Sequence, residues 1–288
     1  MRQDRIGLVL EGGAMRGLFT AGVLDVWMEN RIRFDAAIGV SAGAVFGCNY
    51  KSRQPGRVLR YNVNYCRDPR YCGLRSLIRT GDLFGADFCY RELPEVLDPF
   101  NARTYDANPL VFYVVCTDTE TGKAVYRRCD RADEETFTWF RASASMPFVS
   151  KPVFIGGRQY LDGGIADPIP LAFFLKQGIR RNIVILTRPR DYVKKQAGGK
   201  NLLRFALRKH PKLIPAVRNR HKVYAESRKL TFSEEAEGRA FVVCPASPLS
   251  IGRISHDPDE IRKAYDAGRE AALQSLPELE AFLEEKNI

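Results

Sequence analysis

Histidine is scarce in this chain. Only His210, His221 and His256 occur among its 288 residues, and all three follow residue 200. A histidine base would therefore have to come from the C-terminal part. Close cysteine spacings are missing too: the seven cysteines are odd in number, and none forms a CxxC pair or another metal-ligand spacing. Reduced thiols in a cytoplasm are the simplest expectation. No apolar stretch approaches the roughly 20 residues that span a bilayer. The opening MRQDRIGLVLEGG offers only a strand-length apolar run, too short for a secretory signal. With no His/Cys/Asp/Glu cluster and no EF-hand pattern, neither metal nor cofactor is expected. Internal repeats and Ser/Gly linkers are lacking, so no firm domain boundary is marked.

What is present is enough to bury a large core. At 45% apolar content, a globular, soluble chain of one large domain is expected. We divide it into a core over about 5–190, a basic helical segment over 191–230, and a last strand with C-terminal helices over 240–285. The net charge of +11 is concentrated: between Arg188 and Lys229 stand fourteen Lys and Arg against Asp191 and Glu226. Nucleic acid, an anionic membrane surface or a solvated helical face would each account for such a block. The interleaved Leu202, Leu203, Phe205, Leu207, Leu213, Ile214 and Val217 suit an apolar surface better than stacked bases, so no nucleic acid is expected. Pro211 and Pro215 should divide the segment into short helical pieces. Its apolar side either packs on the core or, with Arg204, Arg208, Lys209, Lys212 and Arg218, meets anionic lipid at the inner membrane surface.

Strand and helix signals alternate. Ile6 to Leu10 reads as a buried strand, Leu18 to Glu29 as a helix, Phe34 to Val40 as a second strand, and AGAVFGCNY as a second helix. Such a βαβα beginning argues for helices on a mostly parallel sheet. Residues 51–108 read as an irregular excursion with short helices. Two strands joined by a Thr-Gly turn follow, then the helical DEETFTWFRASAS, then a hairpin turning at Gly156-Gly157. NIVILTRP and AFVVCPAS complete the strands. A helix over Asp257–Gln274 and a shorter one after Pro277 end the chain.

Chemistry enters at Gly39-Val40-Ser41-Ala42-Gly43, a GxSxG between a strand and a helix. Small neighbours permit a sharp turn that lifts the Ser41 hydroxyl clear of the sheet; alternatively, Ser41 is an ordinary helix cap. The stretch EGGAMRG after the first strand bears on that choice. Gly12, Gly13 and Gly17 let the backbone come close, and amides at a helix start can hold an oxyanion, each donor being worth about 3 kcal/mol. A dinucleotide-binding turn fits less well, because GGAMRG lacks the third-position glycine and no acid ends the second strand. Arg16 opposes the macrodipole in a first helical turn, which suits an anionic substrate or transition state, or else an ordinary solvated side chain.

For a base, His256 before an Asp257 cap would close a Ser-Asp-His order. The rival is Asp162 in YLDGGIADPIP. Asp167 has a structural reading, as an N-cap with Pro168 at the first helical position. Asp162 follows a hairpin that has already turned and has none, which makes it the candidate base. Ser143 and Ser145 in RASASMP lack a GxSxG turn and read as the end of a helix.

Taken in order, Gly-Gly-x-x-Arg-Gly, GxSxG, ASASMP and Asp-Gly-Gly resemble the patatin-like phospholipases over roughly residues 6–190. The resemblance implies a three-layer α/β/α sandwich around a mostly parallel sheet, and a Ser-Asp dyad without histidine. It implies Ser41 as nucleophile between Gly39 and Gly43, and Asp162 as base. The backbone of Gly12, Gly13 and Ala14, beside Arg16 and Gly17, would form the oxyanion hole. Ala14 departs from the family's usual third glycine. The implied activity is hydrolysis of a phospholipid or other acyl ester by way of an acyl-enzyme, in the cytoplasm or peripherally on the membrane. An ordinary triad esterase and a non-catalytic lipid-surface protein are the alternatives.

Overall fold

The computed structural model describes residues 5–196 and 207–284. Buried β-strand β1 (Ile6–Leu10) leads through a 3-10 turn (Ala14–Arg16) into α1 (Gly17–Glu29), then β2 (Ala36–Val40) and α2 (Ala42–Lys51). The excursion holds α3 (Arg57–Tyr65), α4 (Leu74–Thr80), a wide π-type turn of helix (Phe88–Leu97) and α5 (Ala102–Ala107). Next come β3 (Val111–Asp118), β4 (Ala124–Arg128), α6 (Glu134–Ala144), the hairpin β5 (Val153–Ile155) and β6 (Arg158–Asp162), and α7 (Leu171–Lys176). β7 (Arg181–Ile185), α8 (Leu213–Ala236), β8 (Ala240–Val243), α9 (Pro258–Gln274) and α10 (Leu276–Glu284) finish the chain.

The strands form one sheet, paired along the path β5-β6-β3-β2-β1-β7-β8, with β4 on the other edge of β3. Five neighbouring strands from β3 to β8 are parallel, and the β5–β6 hairpin and β4 run antiparallel. Alternation along the strands sorts the core into two faces. Leu8, Leu10, Ala37, Phe112 and Val114 point toward α1, α6 and the C-terminal helices; Val9, Ile38, Val40, Val115 and Val184 point toward α7 and α8. That is the three-layer sandwich the resemblance implies. Helix α1 is buried over twelve of its thirteen residues, because α9 covers the side turned from the sheet.

Three expectations fail here. Pro215 does not break the basic segment, since from Leu213 onward it is a single 24-residue helix with Pro215 in its first turn, where an amide needs no helical partner. Asp167 is not an N-cap: α7 begins at Leu171, and the Asp167 carboxylate accepts a 2.8 Å bond from the Tyr126 hydroxyl. Pro277 lies within the last helix rather than ahead of it. Leu202, Leu203, Arg204 and Phe205 fall outside the described residues.

The sheet fixes where α2 begins. A Cβ on Gly43 would lie 2.5 Å from the Leu10 carbonyl oxygen and 2.9 Å from that of Glu11. The helix start can pass the end of β1 only with glycine there. Gly43→Ala is expected to destabilise the chain by about 1–3 kcal/mol, the usual scale of core overpacking. An unchanged urea midpoint would contradict the close approach.

Candidate active site

The edge of β3 brings two distant residues together. Up to Val115 this edge is paired with β2, whose last partner is Val40. From Cys116 the same edge is paired with β6, beginning at Asp162. The opposite edge carries β4 throughout, over Tyr113–Thr117. Asp162 therefore takes up the pairing one residue after Val40 leaves it, beside Ser41.

Ser41 occupies the N-cap position of α2 with φ 54° and ψ −122°, and its side chain caps nothing. A positive φ in a non-glycine residue is strained and persists only where the surroundings impose it. Here both neighbours of the turn are glycines for steric reasons: a Cβ on Gly39 would lie 2.5 Å from the Gly43 carbonyl. The Ser41 amide donates to Ser143 Oγ at 2.8 Å, and Ser143 Oγ donates to the Val115 carbonyl at 2.7 Å. Ser143, fully buried on α6, thus ties the turn to β3. It does stand at the end of a helix as expected, but that reading misses its tie to the turn. A hydroxyl that serves two backbone groups carries no motif.

Asp162 is buried, and its place is set by its backbone. Its amide donates to the Ser145 carbonyl at 2.8 Å, and its carbonyl accepts from Thr117 Oγ1 at 2.8 Å. The side chain does have one structural role, contrary to expectation. Its Oδ1 accepts from the Gly164 amide at 2.7 Å, capping the 3-10 turn Gly163–Ile165. Oδ2 is buried with no hydrogen-bond partner. Burial raises the carboxyl pKa, against the opposing effects of Arg220, the Ser41 hydroxyl, the Gly164 amide and Lys194. The Ser41 hydroxyl is near enough to act on the carboxyl as a hydrogen-bond donor, while its contact with Oδ2 falls short of full hydrogen-bond geometry.

The glycine loop lies against this pair. A Cβ on Gly12 would stand 3.0 Å from the Val40 carbonyl oxygen and 3.1 Å from Ser41 Cβ, and one on Gly17 would stand 2.7 Å from Ala42 Cβ. Ala14 has φ 50°, a left-handed conformation that glycine adopts without strain. Among the described residues, no loop carbonyl accepts from the amides of Gly12, Gly13 or Ala14. Arg16 is half-buried with Nε unpartnered. Burial, then Arg188, lowers its pKa to about 10.

Two cavities meet at Ser41. The larger, about 350 Å³, is mostly apolar, lined by Phe46, Tyr61, Leu83, Tyr90, Phe140 and others. The smaller, about 70 Å³, contains Asp162, Gly12, Gly13 and a group of cations. Ala14, Ser41, Met146 and Arg253 border both. The histidines border neither. His256 Nδ1 is 2.5 Å from the Cys66 carbonyl oxygen, and His221 Nδ1 is 3.0 Å from that of Arg218. His210 and His221 are half-buried. Within the basic segment, Leu207 and Leu213 pack with Leu161 and Ile165. Some of its cations turn inward to the small cavity, a role that segment-wide charge counting does not foresee.

Two substitutions test this geometry. Ser143→Ala leaves the buried Ser41 amide and Val115 carbonyl without the hydroxyl that joins them, at about 1–3 kcal/mol for an unmet buried group; a comparable loss of stability in denaturant is expected. Asp162→Asn works in the opposite direction. A folded carboxyl pKa above the unfolded value gives stability that is full below about 3.9 and is lost as pH rises through the folded pKa. The asparagine variant should therefore melt above the parent at pH 8, with the gain vanishing near pH 3.5.

The model of the patatin-like phospholipase family matches residues 8–175, and that of a domain of unknown function, DUF6363, matches residues 210–284. YjjU of Escherichia coli K12 is 28% identical over 300 residues, covering 98% of this chain and 80% of that protein. The NTE family protein Rv1063c of Mycobacterium tuberculosis is 26% identical over 168 residues, 58% of this chain and 45% of its own length. The crystal structure of VipD from Legionella pneumophila aligns with a TM-score of 0.48 and 12% identity, over 96% of this chain and 67% of that one. No helix among the described residues is long and apolar enough to cross a membrane. The family match takes in the glycine loop, the GxSxG turn and Asp162 together, and the chain belongs to the patatin-like phospholipase family.

Proposed function

We propose that this chain hydrolyses carboxylic esters of lipids through a Ser41–Asp162 dyad and an acyl-enzyme. One observation carries the reading. Ser41 is held at a strained positive φ, its hydroxyl caps nothing, and it stands next to a buried carboxylate with one oxygen unpartnered. A cap would accept a backbone bond, and a structural serine would not require the strain.

In this reaction the Ser41 hydroxyl passes its proton to Asp162 Oδ2 as its oxygen attacks the acyl carbonyl. The freed amides of the Gly12–Ala14 loop receive the negative oxygen. Asp162 returns the proton to the departing alcohol, then draws one from the water that releases the acyl group. Burial supports this role, since a carboxyl with a raised pKa is a stronger base than an exposed one. The apolar cavity of about 350 Å³ takes the acyl chain, which places the ester at Ser41. Membrane contact through residues 188–229 has less support, because Leu207 and Leu213 are buried. Exposed Ile254 lines the acyl cavity, and exposed Phe148 lies in sequence between its lining residues Met146 and Val149; they offer a nearer approach to lipid.

The dyad is separated from a histidine triad by three variants. Ser41→Ala and Asp162→Asn should each lower turnover of a short-chain ester at least 100-fold, with His256→Ala within about two-fold of the parent. A serine-directed phosphonate should label Ser41. In the parent, the acid limb of kcat/KM should fall above the ordinary carboxylate range, because activity requires the ionised Asp162. Label on Ser143 or Ser145, or a His256→Ala loss equal to that of Ser41→Ala, would overturn the assignment.

A further inference from the structure

The small cavity is crowded with like charge. Arg16 from the 3-10 turn after β1, Arg188 and Lys194 from the chain after β7, Arg220 on α8 and Arg253 from the loop before α9 all line it. Among the described residues, none of the five forms an ion pair with a carboxylate. Two carboxyls face the same space. Asp162 is the dyad member, and Glu11 is occupied elsewhere: its Oε1 accepts from the Tyr224 hydroxyl at 2.7 Å and its Oε2 from the Thr187 amide at 2.5 Å. Arg188 lies over the Tyr192 ring at 4.5 Å and Lys194 over the Tyr224 ring at 4.5 Å, while Arg220 Nε donates to the Gly164 carbonyl at 2.6 Å.

Holding five cations around about 70 Å³ is costly. Burial and then Arg220 lower the Lys194 pKa to about 8, and Arg16 is depressed by burial, Arg188 and Arg253. A folded chain ordinarily places counter-charges in such a cluster or opens it to solvent. Glu11 and Asp162 offset these cations only in part, and Arg253 leaves the cluster open to solvent on one side; a bound anion would supply the remaining charge. Guanidinium forks match tetrahedral oxyanions in two-point contacts.

We propose that this compartment binds the phosphomonoester headgroup of the lipid whose ester bond lies at Ser41, and that the C-terminal segment completes it through Arg220, Tyr224 and Arg253. The inference rests on the hydrolase reading above and adds the substrate class. Its logic is positional: the apolar cavity and the cationic one meet at Ser41, so acyl chain and headgroup can leave the ester into separate compartments. A terminal phosphate carries up to two negative charges and needs little room. A choline-capped phosphodiester would bring a fixed cation among five others, and the tyrosine rings that would receive it are already covered by Arg188 and Lys194. The segment matched by the domain of unknown function thus acquires a role, contact with the polar part of the substrate.

The test compares three lipids with one oleoyl chain: the glycerol 3-phosphate ester, its phosphocholine counterpart and the uncharged monoacylglycerol. The full chain should show kcat/KM at least ten-fold higher for the phosphomonoester than for either of the others. In Arg188→Gln and, separately, Arg253→Gln, the ratio of phosphomonoester to uncharged lipid should fall at least ten-fold, mainly through KM. Arg188→Lys should recover part of it. Melting curves identify any variant that fails to fold, and either arginine alone suffices for the conclusion.

Binding of the same three lipids to the Ser41→Ala protein, followed by calorimetry, gives a readout that needs no turnover. Hydrolysis without headgroup preference would sink the headgroup assignment and leave the hydrolase reading intact. Selective binding of the phosphomonoester lipid without hydrolysis in the parent would do the reverse. Inorganic phosphate or glycerol 3-phosphate binding as tightly as the oleoyl ester would make the cavity a free-anion site and overturn its assignment to a lipid.

Discussion

One edge of one strand holds the site together. β3 gives its first residues on that edge to the parallel β2 and its last to the antiparallel β6, and the handover falls between Val115 and Cys116. Because pairing register is discrete, a slip of one residue would turn Asp162 away from Ser41. The surrounding bonds reinforce that register. Ser143 joins the Ser41 amide to the Val115 carbonyl, and Thr117 holds the Asp162 carbonyl. Helix α6 thus fixes the Ser41 turn, and β3 itself fixes Asp162.

Burial then acts on opposite charges in opposite directions. Removal from water raises the pKa of Asp162 and lowers those of Arg16 and Lys194. Each shift favours a neutral group, yet Asp162 and the cations partly offset one another across a small space. Glu11 serves a different end. By accepting from Thr187 after β7 and from Tyr224 on α8, it fixes the wall on which Arg188 and Lys194 are carried.

Legibility in the sequence follows the distance over which each signal acts. The GxSxG turn is local, with Gly39, Ser41 and Gly43 all in one pentapeptide, so its placement is read directly. The hairpin at Gly156-Gly157 is equally plain, and both glycines adopt positive φ. Asp162 stands out because the hairpin before it leaves no turn for it to make, although nothing in the sequence announces its Oδ1 cap. Ser143 reads as a helix end because its importance lies in two backbone atoms contributed by other strands. The cationic cavity is invisible for a similar reason. Its arginines come from four separate stretches, and a charge count sees only the block containing Arg188, Lys194 and Arg220. Pro215 and Asp167 mislead through sound local rules. A proline is compatible with the first turn of a helix, and an Asp-Pro pair caps a helix only if one starts at once.

The ends of the family match carry one more consequence. Residues 8–175 stop before β7, yet β7 is the strand that covers one whole side of β1 from Ile6 to Leu10. A fragment cut at that boundary would expose Ile-Gly-Leu-Val-Leu as an apolar edge, a ready template for strand addition between molecules. Glu11 would at the same time lose Thr187 and Tyr224. The portion matched by the family model thus depends on the chain beyond it to cover the edge of β1 and to partner the Glu11 carboxylate.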